Sequence, residues 1–221
     1  MQVDIWSDVV CPWCYIGKRR FESALAEFEG RDDVRVVWHS FELDPSAPRR
    51  REQPTIEYLA SKYGMQLAQA QQMEDNVTSV ASAEGLTYDL ANTKSGNSFD
   101  AHRLIHFAAA NRKQDEMKER LLAAYFIEGK AISDAATLVE LAEQVGLDRD
   151  EAVAVLGSDA FAAEVRGDEG TAQQLGISGV PYFVFEQKYG VSGAQSSEVF
   201  ARVLAQVADD AMAVASSPPA H

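Results

Sequence analysis

The chain has 221 residues, 46% hydrophobic and 24% charged, enough for one large domain or two modest ones with a substantial core. Its formal net charge of −14 argues against DNA, RNA or an anionic membrane as the main partner. No run approaches the roughly 18 apolar residues of a membrane span, and Met1 leads straight into a strand-like segment in place of a basic start and apolar run, so a cytoplasmic location is expected.

Residues 2–6 alternate apolar and polar and predict a strand. A turn over 7–10 leads into a helix expected over 13–28, with Ile16, Phe21, Leu25 and Phe28 as its apolar stripe. Pro12 suits the first turn, where an N–H is not needed. Residues 34–39 predict a second strand, more strongly apolar and so expected at the centre of the sheet. Strand, helix and strand in so short a span form a βαβ unit with parallel strands.

The character then changes. Leu43 to Pro48 and the run Arg49-Arg50-Arg51 read as a breaker-rich, solvated linker. Helix signals follow over 54–63 and 65–84, from Asn97 or Ser98, over 114–128, from Ser133-Asp134 to Gly146, and over 148–156. A further helix is expected from about Asp159 to Leu175. A strand over 182–185, a hairpin partner over 188–192 and a last helix over 196–210 complete the chain. The expected architecture is α/β: a four-stranded mixed sheet flanked by helices, built from 1–45 and 159–212, with a large all-helical insertion over 46–158 and a flexible tail over 213–221.

Cys11 and Cys14, in Cys11-Pro12-Trp13-Cys14, are the only cysteines. They fall at the junction of the first strand and its helix. In a reducing cytosol such a pair reads as redox-active. Thiol–disulfide exchange needs one accessible thiolate and a second thiol near enough to resolve the mixed disulfide. Cys11 at the helix start faces unpaired N–H groups and the positive end of the helix dipole, so it is expected to be the low-pKa nucleophile. Cys14, one turn on, is the more buried resolving thiol. A zinc site needs about four ligands, and no second cysteine pair or finger-type histidine spacing supplies them, so no metal is expected. No Gly-rich phosphate loop follows a strand, so no nucleotide cofactor is expected.

The stretch Ser7-Asp8-Val9-Val10-Cys11-Pro12-Trp13-Cys14-Tyr15-Ile16-Gly17-Lys18 resembles the thioredoxin superfamily, and more closely the FrnE-type branch of the DsbA family. The resemblance runs over nearly the whole chain. It takes in the helical insertion, the stretch Asn97-Ser98-Phe99-Asp100-Ala101-His102-Arg103, and Gly179-Val180-Pro181 ahead of the third strand. It implies a thioredoxin-like fold, a cis Val180–Pro181 bond facing the cysteine pair, and Val180 backbone groups that pair with a peptide or thiol substrate. From the sequence alone a trans proline is the commoner default there. A homodimer through the helical block is implied only by analogy with the family. The chain departs from DsbA itself at Trp13, where DsbA has histidine. Trp13 carries no charge to support the Cys11 thiolate, so a milder oxidant with a less depressed thiol pKa is expected.

The leading function is exchange between Cys11–Cys14 and protein or small-molecule thiols and disulfides. The alternative is a glutathione-dependent activity resembling hydroxychromene-carboxylate isomerase or kappa-class glutathione transferase. Those proteins typically carry serine where Cys11 stands, and glutathione is a candidate co-substrate in either case. A third reading is a non-catalytic, chaperone-like module with a vestigial dithiol. Pro12, Trp13, Val180 and Pro181 are expected to shape the site, with Trp13 at its rim and Trp6 and Trp38 in packing roles. His102 and Arg103 have two readings: lining the cleft, or a packed His102 with a solvated Arg103. Asp8 either tunes Cys11 or accepts a proton, or simply caps the following turn.

Overall fold

The computed structural model describes residues 1–216, with side chains through residue 213. Strand β1 (Gln2–Ser7) is buried along almost its whole length, because helices cover both faces of the sheet around it. The chain then enters helix α1 (Pro12–Glu27), passes a short 3₁₀ turn at Arg31–Asp33, and returns as β2 (Arg35–Ser40). β2 runs parallel to β1, from Gln2 opposite Arg35 to Ser7 opposite Ser40. On the other side of β1, β3 (Tyr182–Phe185) pairs antiparallel, and β4 (Tyr189–Ser192) extends it as a hairpin. Glu186 and Gln187 take the hairpin turn at φ 49° and 53°, the left-handed geometry that matches strand twist. The result is the expected four-stranded mixed sheet, in the order β2-β1-β3-β4.

That order corrects one expectation: β2 is an edge strand, and β1 is central. The apolar character of β2 has another cause. Gln114 donates from Nε2 to the Trp38 carbonyl at 2.8 Å and accepts the Trp38 N–H at 3.1 Å, standing in for a strand neighbour. Asp168 accepts the Ser40 N–H at 2.7 Å. An edge whose backbone groups are satisfied by covering helices does not need a polar surface of its own.

The helices between β2 and β3 are α2 (Thr55–Lys62), α3 (Leu67–Ala83), α4 (Phe99–Ala110), α5 (Gln114–Phe126), α6 (Ala135–Gln144), α7 (Arg149–Leu156) and α8 (Ala162–Gln174). Local chemistry sets several of their starts. Asp134 and Asp148 accept the N–H groups of Thr137 and Glu151, as N-cap carboxylates do. α8 begins later than expected because Phe161, at φ 61°, holds a left-handed turn before it. Helix α9 (Ser197–Ser216) continues past the expected end at Asp210, so residues 213–216 of the expected tail are helical. The rest of that tail, 217–221, lies outside the described residues. The arginine run is not simply solvated: Arg51 pairs with Asp44 at 2.7 Å and lies 3.6 Å over the Tyr58 ring, and Arg49 donates to the Ser133 carbonyl.

Alternation along β3 divides the core. Phe183 and Phe185 point to the side of α1 and α9, where Phe183 meets Phe21 at 5.7 Å and Phe200 at 4.6 Å between ring centroids. Each such buried ring contributes about 2–3 kcal/mol of transfer free energy. Tyr182 and Val184 face the other side, against Trp6, Ala172 and Ile177. The main apolar cluster runs without a break from sheet residues such as Val3, Ile5 and Phe183 to Leu104, Leu121 and Leu141 of the helical block.

Candidate active site

Helix α1 opens directly off β1 through Asp8, Val9 and Val10. Cys11 is its N-cap in an extended conformation, and Pro12 is the first helical residue. The Cys14 N–H donates to the Cys11 carbonyl at 3.0 Å, closing the first turn and bringing the two side chains together. Both are free thiols, 4% and 1% exposed, and Trp13 between them is 39% exposed at the rim. From the far end of the chain, the Val180–Pro181 bond is cis and the Val180 carbonyl lies 3.5 Å from Cys11 Sγ. The order helix start, cysteine pair, proline loop is therefore assembled in space as expected.

Gly17 makes that assembly fit. A Cβ there would stand 2.9 Å from Pro181 Cγ, closer than atoms pack, and in contact with Ala194 Cβ at 3.4 Å. The absence of a side chain lets α1 lie against the proline loop. Tyr88, from the helical block, donates its hydroxyl to the Pro12 carbonyl at 2.7 Å and stacks on Phe126. Beside Pro12 and Trp13 lies an apolar groove of about 160 Å³, walled by Leu59, Tyr63, Met65, Met73 and Val77.

Beneath the cysteines is a buried charge network. Asp8 is fully buried; it accepts the Leu43 N–H at 2.8 Å and meets His102 Nε2 at 3.2 Å. Burial works to raise its pKa, but His102, the Leu43 N–H and Lys118 together hold it below the usual carboxylate value. Lys118 is 1% exposed, and its ammonium donates to the Ser7 carbonyl at 3.1 Å. Burial depresses it to a pKa of about 8 against the pull of Cys14, Asp8 and Cys11. The sequence offered one weak signal for Lys118: a lysine in register with the buried residues of an amphipathic helix, between Met117 and Leu121.

The surroundings of Cys11 act against the helix start that favours its thiolate. Its hydrogen bond with Cys14 and its burial push the Cys11 thiol well above the ordinary value. Burial also opposes the Cys14 thiolate, but the Cys11 hydrogen bond, Lys118, Ser7 and the Asp8 N–H bring Cys14 below it. In the closed pair these influences favour negative charge on Cys14 over Cys11. Helix-start reasoning accounts for only one of the fields acting here; the lysine and the neighbouring thiol supply the others.

Two further expectations resolve differently. His102 reaches the site indirectly, by holding Asp8. Arg103 neither lines the cleft nor lies in solvent. Its guanidinium is buried and donates to the carbonyls of Val155, Ser158 and Ala160 and to Asp100, tying α4 to the end of α7. Asp8 accepts the Val10 N–H at 3.4 Å, as a turn residue would, and also stands in the charge network near the thiols.

The family model for a DsbA-like thioredoxin domain matches residues 2–205. The chain belongs to the DsbA-like thioredoxin family. Among solved structures, a probable DsbA oxidoreductase from Streptomyces coelicolor is 45% identical, with a TM-score of 0.91 over 100% of this chain and 93% of that one. The cytosolic disulfide reductase DsbM from Pseudomonas aeruginosa, also solved with GSH, matches with a TM-score of 0.66 at 18% identity over 94% of this chain and 99% of its own. A 2-hydroxychromene-2-carboxylate isomerase matches with a TM-score of 0.71 at 14% identity over 97% and 99%. The last two share the fold. No helix among the described residues is long and apolar enough to cross a membrane.

Proposed function

We propose that this DsbA-like protein is a dithiol–disulfide oxidoreductase of the FrnE type, with Cys11 as nucleophile and Cys14 as resolving thiol. The observation that carries the reading is the pair itself: two free thiols one helical turn apart, with Cys11 Sγ against the Val180 carbonyl. Cys11 is the less buried residue of the two, and its sulfur lies on the side of the proline loop. Moving the shared proton along the hydrogen bond from Cys11 to Cys14 generates the Cys11 thiolate. That thiolate attacks a substrate disulfide, forming a Cys11–substrate bond and expelling one substrate sulfur as thiolate. Cys14, having passed its proton to the expelled substrate thiolate, then attacks Cys11 Sγ, breaking the Cys11–substrate bond, releasing the second substrate sulfur as thiolate and leaving the Cys11–Cys14 disulfide. Run backwards, the same steps oxidise a dithiol.

The apolar groove beside Trp13 supports a substrate that presents a large apolar side chain or ring next to its sulfur. A glutathione-dependent isomerase or transferase is the alternative, favoured by the shared fold with the isomerase and disfavoured by Cys14, which such chemistry does not require. Glutathione as co-substrate, and a cytoplasmic setting in which a lone pair stays reduced, belong to the same proposal.

Reduction of insulin by dithiothreitol tests it. Wild-type protein should accelerate precipitation at least tenfold over Cys11→Ser, and Cys14→Ser should accumulate mixed disulfides through Cys11. Equal rates for wild type and Cys11→Ser refute dithiol chemistry. Glutathione-dependent turnover that survives Cys14→Ser would favour the isomerase or transferase reading.

A further inference from the structure

The edge strand β2 is closed along only part of its length. Successive residues of a strand direct their backbone groups to opposite sides, and Arg35 donates its N–H inward, to the Met1 carbonyl. Val36, Trp38 and Ser40 therefore turn theirs outward. Gln114 serves Trp38 with both halves of its side-chain amide, and Asp168 accepts the Ser40 N–H. No side chain among the described residues does the same for Val36. Beside it, the corner between α4 and α5 stands away from the strand and leaves a cavity of about 470 Å³, a volume that holds a small ligand.

Arg35 and Arg112 line that cavity, and neither has a hydrogen bond or ion pair among the described residues. Arg112 is fixed by the end of α4: its φ is 58°, and the next N–H, that of Lys113, returns to the Ala108 carbonyl at 2.7 Å. The carboxylates around the cavity are already engaged. Asp168 holds His39, His106 and the Ser40 N–H. Asp115 accepts from the Trp38 indole at 2.9 Å and pairs with Lys18 at 3.3 Å, and Glu116 pairs with Lys113 at 3.3 Å. In a chain with 34 acidic and 20 basic side chains, two arginines without partners at one cavity set the sign of what it binds. Val37, half-buried on the strand face it shares with Arg35, and Ala109 of α4 add an apolar wall.

Gln114 shows what this edge accepts: a donor and an acceptor side by side. In an extended residue the N–H and C=O point the same way, so the last residue of a peptide offers Val36 what Gln114 offers Trp38. We propose that the cavity binds an amide-linked carboxylate, the group carried by an N-acyl amino acid or by the end of a peptide chain. The ligand N–H donates to the Val36 carbonyl. One carboxylate oxygen accepts the Val36 N–H, the carboxylate charge meets Arg35 and Arg112, and an apolar side chain fits the wall of Val37 and Ala109. None of these residues belongs to the cysteine site, so the proposal stands apart from the thiol chemistry.

Titration of the wild-type protein with N-acetylleucine, followed by amide NMR shifts, tests it. Saturable shifts centred on Val36 and Arg112 are expected. N-acetylleucinamide, which lacks the charge, and isocaproate, which lacks the N–H, should each bind about tenfold more weakly. The Arg35→Gln/Arg112→Gln variant should lose affinity for N-acetylleucine by a similar factor. Both arginines are exposed and unpaired, so it should keep the wild-type urea midpoint. The peptide acetyl-Ala-Ala-Leu separates the two sources: binding as tight as that of N-acetylleucine or tighter assigns the cavity to chain ends, and weaker binding assigns it to free N-acyl amino acids. The inference is overturned if neither carboxylate gives saturable shifts at Val36 and Arg112. Equal affinity for N-acetylleucine and either analogue, or equal affinity of wild type and the double variant, overturns it as well.

Discussion

Around α1 single side chains decide what the cysteines experience, and not all of them are chemical. Gly17 is the clearest case. The proline loop closes on α1 only because that position has no Cβ. Gly17→Ala must push Pro181 away from Cys11 or shift α1 along the sheet. Overpacking of this kind costs about 1–3 kcal/mol, so the urea midpoint should fall and disulfide exchange should slow together. A variant of unchanged stability and rate would mean that the loop is free to move. Gly17 stands in the family-like stretch, yet its role is invisible there, because the atom it makes room for lies far along the chain.

The elements are joined by a clasp at the β2 edge of the sheet. His39 of β2 sits between two carboxylates, with Nδ1 at 2.7 Å from Asp168 of α8 and Nε2 at 2.9 Å from Asp4 of β1, while its ring stacks on Trp6. Both ring nitrogens can donate only in the imidazolium. Burial alone would lower the His39 pKa, but Asp168 and Asp4 outweigh it and raise the value above 6.5. Burial likewise works to raise that of Asp168, but His106, His39 and the Ser40 N–H take it below 3.8. A raised histidine stabilises the fold fully below its unfolded pKa and loses that contribution as pH climbs through the folded value; a depressed carboxylate loses its own as pH falls through its folded value. The clasp is therefore at full strength between about pH 4 and 6.5. His39→Gln should cost about 1.5–3 kcal/mol at pH 5.5 and distinctly less at pH 9, read as urea midpoints. A gap that stays constant with pH would show that the imidazolium contributes nothing.

Across the whole molecule the sheet and the helical block share one apolar cluster, and Tyr88, Lys118 and Gln114 tie the block to the active-site turn and to β2. The three tryptophans, Trp6, Trp13 and Trp38, all lie in the sheet-forming part or beside the cysteines. Fluorescence thus reads the sheet while circular dichroism at 222 nm reads mostly the helices. A shared core predicts a single cooperative transition, with the two signals coincident in urea. Separate midpoints would show that the insertion unfolds on its own.

The order of strands and helices, the redox pair and the proline turn were legible in the sequence because each depends on spacing within a few residues: period two for strands, one helical turn between the thiols, a breaker before β3. Even the mixed sheet follows, since a βαβ unit and a hairpin leave few ways to pair. What only the tertiary structure decided is how distant parts act on those local ones. β2 reads as a central strand, but its edge is closed by Gln114 and Asp168, residues that local pattern cannot pair with it. Arg103 reads as polar surface, but packing turns it inward onto carbonyls. Cys11 reads as the low-pKa thiol from the helix it caps. A lysine more than a hundred residues away and the neighbouring Cys14 act against that, raising the Cys11 thiol and lowering Cys14. Electrostatic energy depends on distance in space and on exclusion of water, and neither is written in the spacing of residues along the chain.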